Sequence, residues 1–128
     1  MREILFRGKA KESHNWLFGD FLRAVSDGVP WILPTNEAEE VKVFPETVGQ
    51  YTGMTDKNGK KIFEGDILLF AYIGMNKGVS GKEAVVFEKG KFGVLWGWHR
   101  DFVCLDGFAN TTQEIIGNIH DNPELLEV

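Results

Sequence analysis

The chain has 128 residues, 43% of them hydrophobic and 26% charged, with a net charge of −5. Those values describe an ordinary soluble globular chain and exclude extended disorder or a collagen-like repeat. The acidic balance disfavours indiscriminate polyanion binding, and the single cysteine, Cys104, excludes an intramolecular disulfide and a four-cysteine metal centre. One domain is expected at this length, with an available subdivision into an N-terminal β segment, 1–45, and a body, 46–128. The glycine and aromatic content, 15 Gly, 10 Phe and 4 Trp, favours short strands joined by many turns.

In chain order, residues 3–8 and 15–24 alternate apolar and polar positions and read as two strands joined by the polar stretch "GKAKESHN". The first residues hold too few apolar positions for a signal peptide, and no segment is apolar for long enough to span a membrane as a helix. The stretch "SDGVPWILPTNEAEE" contains two of the four prolines and three glutamates. It reads as a loop or irregular edge and as the candidate hinge of the chain.

In "TDKNGKKI", Asp56 can accept turn N–H groups, Asn58 tolerates bridge or left-handed geometry, and Gly59 supplies a positive φ. The pattern predicts a type I turn closed by a glycine bulge between strands 50–54 and 60–63. Gly65 and Asp66 form a second turn. Asp66 then opens Ile67–Ile73, an apolar run suited to a central strand covered on both faces. Residues 72–83 read as a glycine-punctuated loop, followed by a hairpin of strands 84–88 and 91–98 turning at Lys89-Gly90. "FVCL" and "EIIGNI" supply two further strands. The chain closes with Asn122 at an N-cap and Pro123 at the first position of a short helical turn. The sum is a mainly β protein: an N-terminal β segment packed on a small, bent SH3-like barrel with a short C-terminal helical turn.

Chemistry-bearing patterns are sparse. An EF-hand register beginning at Asp56 fails, because its fifth, sixth and twelfth positions are Lys60, Lys61 and Ile67. Glu64 and Asp66 share a strand face but sit in a turn, where capping explains them. His14, His99 and His120 lie in separate segments, and His99 with Cys104 is too small a set for zinc. No phosphate-binding loop, dinucleotide fingerprint or nucleophile elbow is present. We therefore expect no enzyme, no metal and no cofactor.

The segment "FGVLWGWHRDF" is the candidate binding element. As a continuous strand it would place Phe92, Val94, Trp96 and Trp98 on one face. Two readings stand: barrel core beside an edge strand, or a binding surface of Trp96, Trp98, His99 and Arg100. The lysines at 57, 60, 61, 77, 82, 89 and 91 could form a basic loop rim.

Three ordered segments, "MREILFRGK", "PETVGQYTGMTDKNGKKIFEGDIL" and "IIGNIHDNPELL", resemble the YopX family. The resemblance implies a β-rich phage or prophage protein, from a family without an assigned molecular activity, and it transfers no catalytic residue. Gly49, Tyr51, Gly53, Asp56, Asn58, Gly59, Gly65, Asp66, Gly117, Asn118 and Pro123 lie in the matching segments. All read as turn formers or core contacts that specify a fold. The functional expectation is a non-catalytic binding or adaptor protein of the host cytoplasm. Its partner would be a phage or host protein, with no membrane and with homo-oligomerisation open. The alternative is a module for single-stranded nucleic acid, stacking bases on Trp96 and Trp98.

Overall fold

The computed structural model describes residues 3–23, 27–72, 80–108 and 111–126. Strand accounts for 57% of the chain and short 3-10 turns for 9%, so the protein is mainly β and contains no true helix among the described residues. The chain divides into two compact units, Met1–Gly53 and Met54–Val128.

The first unit is built on β1 (Phe6–Lys9), β2 (Trp16–Arg23), β3 (Pro30–Pro34), β4 (Val41–Lys42) and the start of β5 (Gly49–Thr55). Their order is β4-β3-β2-β1-β5, all antiparallel. Ile32 and Val43 are fully buried, and Gly8 lies so close to Val43 that a Cβ there would stand 3.0 Å from its side chain. The expected loop at 26–40 is corrected here. Pro30 and Pro34 bound a strand that pairs with both β2 and β4. A proline at either end of a strand removes a ladder donor where the ladder is finishing, so "PWILP" remains compatible with a sheet.

The second unit contains β6 (Lys61–Phe63), β7 (Asp66–Tyr72), β8 (Ser80–Ala84), β9 (Val86–Glu88), β10 (Lys91–Trp96), β11 (Asp101–Cys104) and β12 (Thr111–Asn118). Two three-stranded sheets, β12-β7-β8 and β11-β10-β9, carry its body. β7 is central, as its apolar run predicts, and residues 66–68 and 70 are buried. Ile62, Leu68, Phe70, Val85, Val94 and Leu105 form the core. The strands remain separate sheets and close no barrel. A one-residue shift between Ile115 and Gly117 interrupts the β12 ladder, a bulge that bends the strand locally. The reading of 72–83 as loop is also corrected at its end, because Ser80–Ala84 pairs along β7. The part at 73–79 lies outside the described residues.

The turns at Asp56–Gly59 and at Gly65–Asp66 take the geometry their residue types predict. Gly59 has φ +82° and its N–H donates to the Asp56 carbonyl at 3.0 Å. Asp56 Oδ1 accepts the N–H groups of Asn58 and Lys60, both at 2.9 Å, and Oδ2 accepts that of Ile115 on β12 at 3.0 Å. Burial works against this charge. The donors of Ile115, Lys60 and Asn58, together with the Lys60 ammonium, outweigh it and hold the carboxyl below its ordinary 3.8. Asp66 Oδ2 accepts the Phe63 N–H at 2.8 Å, across Gly65 at φ +92°. Asn118 Oδ1 accepts from His120 and Asp121. Pro123–Leu126 is the expected short turn, in 3-10 geometry. The Asn122 side chain, expected to cap it, instead accepts the Asn118 N–H at 3.3 Å. A Cβ at Gly117 would stand 2.7 Å from Asn122 Oδ1 and 2.8 Å from Leu125, so glycine lets this turn fold back on β12.

Candidate functional site

β10 ends at Trp96 and β11 begins at Asp101, and these two residues are directly paired. The intervening Gly97–Arg100 form a four-residue hairpin tip. Gly97 at φ +82° starts it, and the Arg100 N–H closes it on the Gly97 carbonyl at 3.2 Å. Arg100 has φ +54°, a conformation that costs a residue with a Cβ on the order of 1 kcal/mol. Its guanidinium reaches out of the hairpin to Glu83 Oε2 on β8 at 2.7 Å. The Glu83 carboxylate raises the Arg100 pKa still further, so the cation is permanent.

The two tryptophans have opposite environments. Trp96 is half-buried, edge-to-face with Phe70 and with Phe108, each at a centroid distance of 5.1 Å. Phe70 and Phe108 complete the triangle at 4.5 Å. Each such pair contributes about 0.5–1.5 kcal/mol beyond the area it buries. Gly81 makes this possible, since a Cβ there would meet the tip of the Trp96 ring at 2.8 Å. Trp98 is 99% exposed. The expectation that both share one strand face is therefore corrected: Gly97 ends the alternation, and Trp98 stands on the turn. Trp96 packs against the core, and Trp98 stands in solvent.

Gly81, Glu83, Trp96, Gly97, Trp98 and Arg100 line an open depression of about 460 Å³. Three of the four expected binding residues meet there. The fourth, His99, is exposed on the tip and is not among the lining residues. Sequence reasoning missed Gly81 and Glu83, because "SGKEA" holds no apolar alternation that would mark a strand. The depression has an aromatic floor, an exposed indole at its margin and a closed ion pair. It offers apolar and stacking contact. Among the described residues no group of three His, Cys, Asp or Glu could hold a metal ion, and no helix is long and apolar enough to cross a membrane.

The sequence profile described as YopX protein matches residues 5–127, so the chain belongs to the YopX family. A search of curated proteins finds no match. Among solved structures, the chain is similar to the crystal structure of protein EF1440 from Enterococcus faecalis. The TM-score is 0.57 at 24% identity, over 99% of this chain and 100% of that one. At that identity the likeness shows the fold.

Proposed function

We propose that this YopX-family chain is a non-catalytic binding or adaptor protein of phage or prophage origin, acting in the host cytoplasm and engaging a partner protein through its Gly97–Arg100 tip. One observation carries the reading: Trp98, fully exposed beside an aromatic-floored depression. An indole left in water on a firmly closed turn has contact area to give on binding, and tryptophan is the residue most enriched at interface hot spots. The Glu83–Arg100 pair holds the strained end of the turn, so little freedom remains to be lost on docking. Stacking of nucleic acid at this tip is the weaker reading. Arg100 is neutralised by Glu83, and exposed Asp101 follows it, which leaves no net positive field for phosphates.

The test is affinity capture from lysogenic cells with wild-type and Trp98→Ala baits, followed by titration of the purified captured protein. We expect Trp98→Ala to cost at least about 2 kcal/mol of affinity. We also expect indole emission to shift to the blue when the wild-type complex forms. Equal affinity of both baits, or turnover of a small molecule by the purified chain, overturns the proposal.

A further inference from the structure

The strand registers of the first unit sort its side chains onto two faces. Pairing of Arg7 with Phe18, Lys9 with Trp16, Leu22 with Trp31 and Trp31 with Lys42 puts all of these on one side. The opposite side carries fully buried Ile32. An antiparallel sheet with one buried face ordinarily turns polar residues outward. Here the outward face holds Phe18, 43% exposed, and Leu22, 44% exposed, with Trp16 and Trp31 half-buried.

Cations are interleaved with these rings. The Lys42 ammonium lies 5.2 Å from the Trp31 centroid and that of Lys9 6.0 Å from Trp16, while the buried Arg7 guanidinium braces Trp16 at 4.7 Å. Among the described strand residues of this face, Asp20 is the one carboxylate, set against Lys9, Lys42 and the buried Arg7. In a chain of net charge −5, the strands of this face thus carry more cations than carboxylates.

We propose that this sheet face binds single-stranded nucleic acid. Trp16 with Lys9 and Trp31 with Lys42 each offer a stacking platform beside a phosphate ligand, the combination that single-strand readers use. Trp16 and Phe18, two residues apart on β2, are separated by about 6.6 Å along the strand. That suits bases splayed beyond the ~3.4 Å of a stacked strand. Trp31 sits beside Leu22, six residues from Trp16 and about 20 Å along the strand, enough for a short run of nucleotides. A protein partner is less well matched, because lysine is depleted from protein interfaces while this face sets lysines among its rings. The inference is independent of the Trp98 reading; if both hold, the adaptor joins a protein at one unit to a nucleic acid at the other.

The experiment is a fluorescence-anisotropy titration of the full chain against labelled short oligo-dT and oligo-U at ~50 and ~200 mM salt. We expect saturable binding that weakens steeply with salt. Trp31→Ala should weaken it about tenfold. Lys42→Gln, an exposed substitution that spares the core, should lower the salt slope by about one. Trp98→Ala should leave affinity unchanged. Absence of binding at the lower salt, an unaltered salt slope in Lys42→Gln, or equal binding to polyglutamate would each overturn the proposal. A loss in Trp98→Ala as large as in Trp31→Ala would do so as well.

Discussion

Two hairpin turns of the second unit solve the same backbone problem with opposite commitments. The Asp56–Lys60 turn puts its left-handed residue on Gly59 and satisfies its donors with a buried carboxylate that also grips Ile115. The Gly97–Arg100 tip puts a left-handed residue on Arg100, held by one exposed ion pair, and leaves its largest side chain in water. The first turn invests its chemistry in the fold. The second tolerates strain and exposes apolar surface, which stability alone does not explain.

Substitutions can sharpen that contrast or break it. Asp56→Ala should have the largest effect, about 3 kcal/mol, because it removes hydrogen bonds to a charged acceptor from three backbone donors; urea unfolding measures it, and a loss as small as that of a surface substitution would erase the contrast. The same carboxylate should give the unit an acid limb. Its folded pKa lies below the ordinary 3.8, so its contribution is complete above that value and is lost as pH falls through the folded pKa. Urea midpoints followed from neutral pH into acid should drop more steeply for wild type than for Asp56→Asn. Gly59→Val should cost about 2 kcal/mol through backbone strain, with an unchanged midpoint contradicting the positive φ. Gly81→Ala should cost about 1 kcal/mol, since the new Cβ displaces the Trp96 ring, and near-ultraviolet circular dichroism should report the loosened aromatic triangle. Trp98→Ala should change stability by less than about 0.5 kcal/mol. A cooperative loss there would make the tip structural and end its claim to be an interface.

What the sequence disclosed follows the same division. Asp56, Asn58, Gly59, Gly65 and Asp66 act through local geometry, which residue type and spacing encode, so their turns were legible. β3 was not legible, because its prolines are punctuation in most contexts and become strand residues only where β2 and β4 flank them. The candidate site was half legible. Trp96, Trp98 and Arg100 stood out by composition, but Glu83 reaches Arg100 from 17 residues away, and no local pattern records that meeting. The separate fates of Trp96 and Trp98 depended on whether Gly97 continued the strand or ended it, a choice made by the Trp96–Asp101 pairing.

The reach of Asp56 to Ile115 has a consequence for the order in which the chain matures. The two residues lie 59 positions apart, and Lys57 also donates its N–H to the Gln113 carbonyl on the same distant strand at 2.8 Å. The Asp56–Lys60 turn can therefore close early while part of its hydrogen bonding waits for β12. During synthesis, β7 (ending at Tyr72) emerges with one edge unclaimed until β12, beginning at Thr111, has followed. The step that seats β12 on β7 completes the ladder and gives Asp56 its last donor together, and contacts of such long sequence separation form late and slowly. Folding of this unit should be gated by the arrival of its final strand, with the hairpin waiting as an incomplete template.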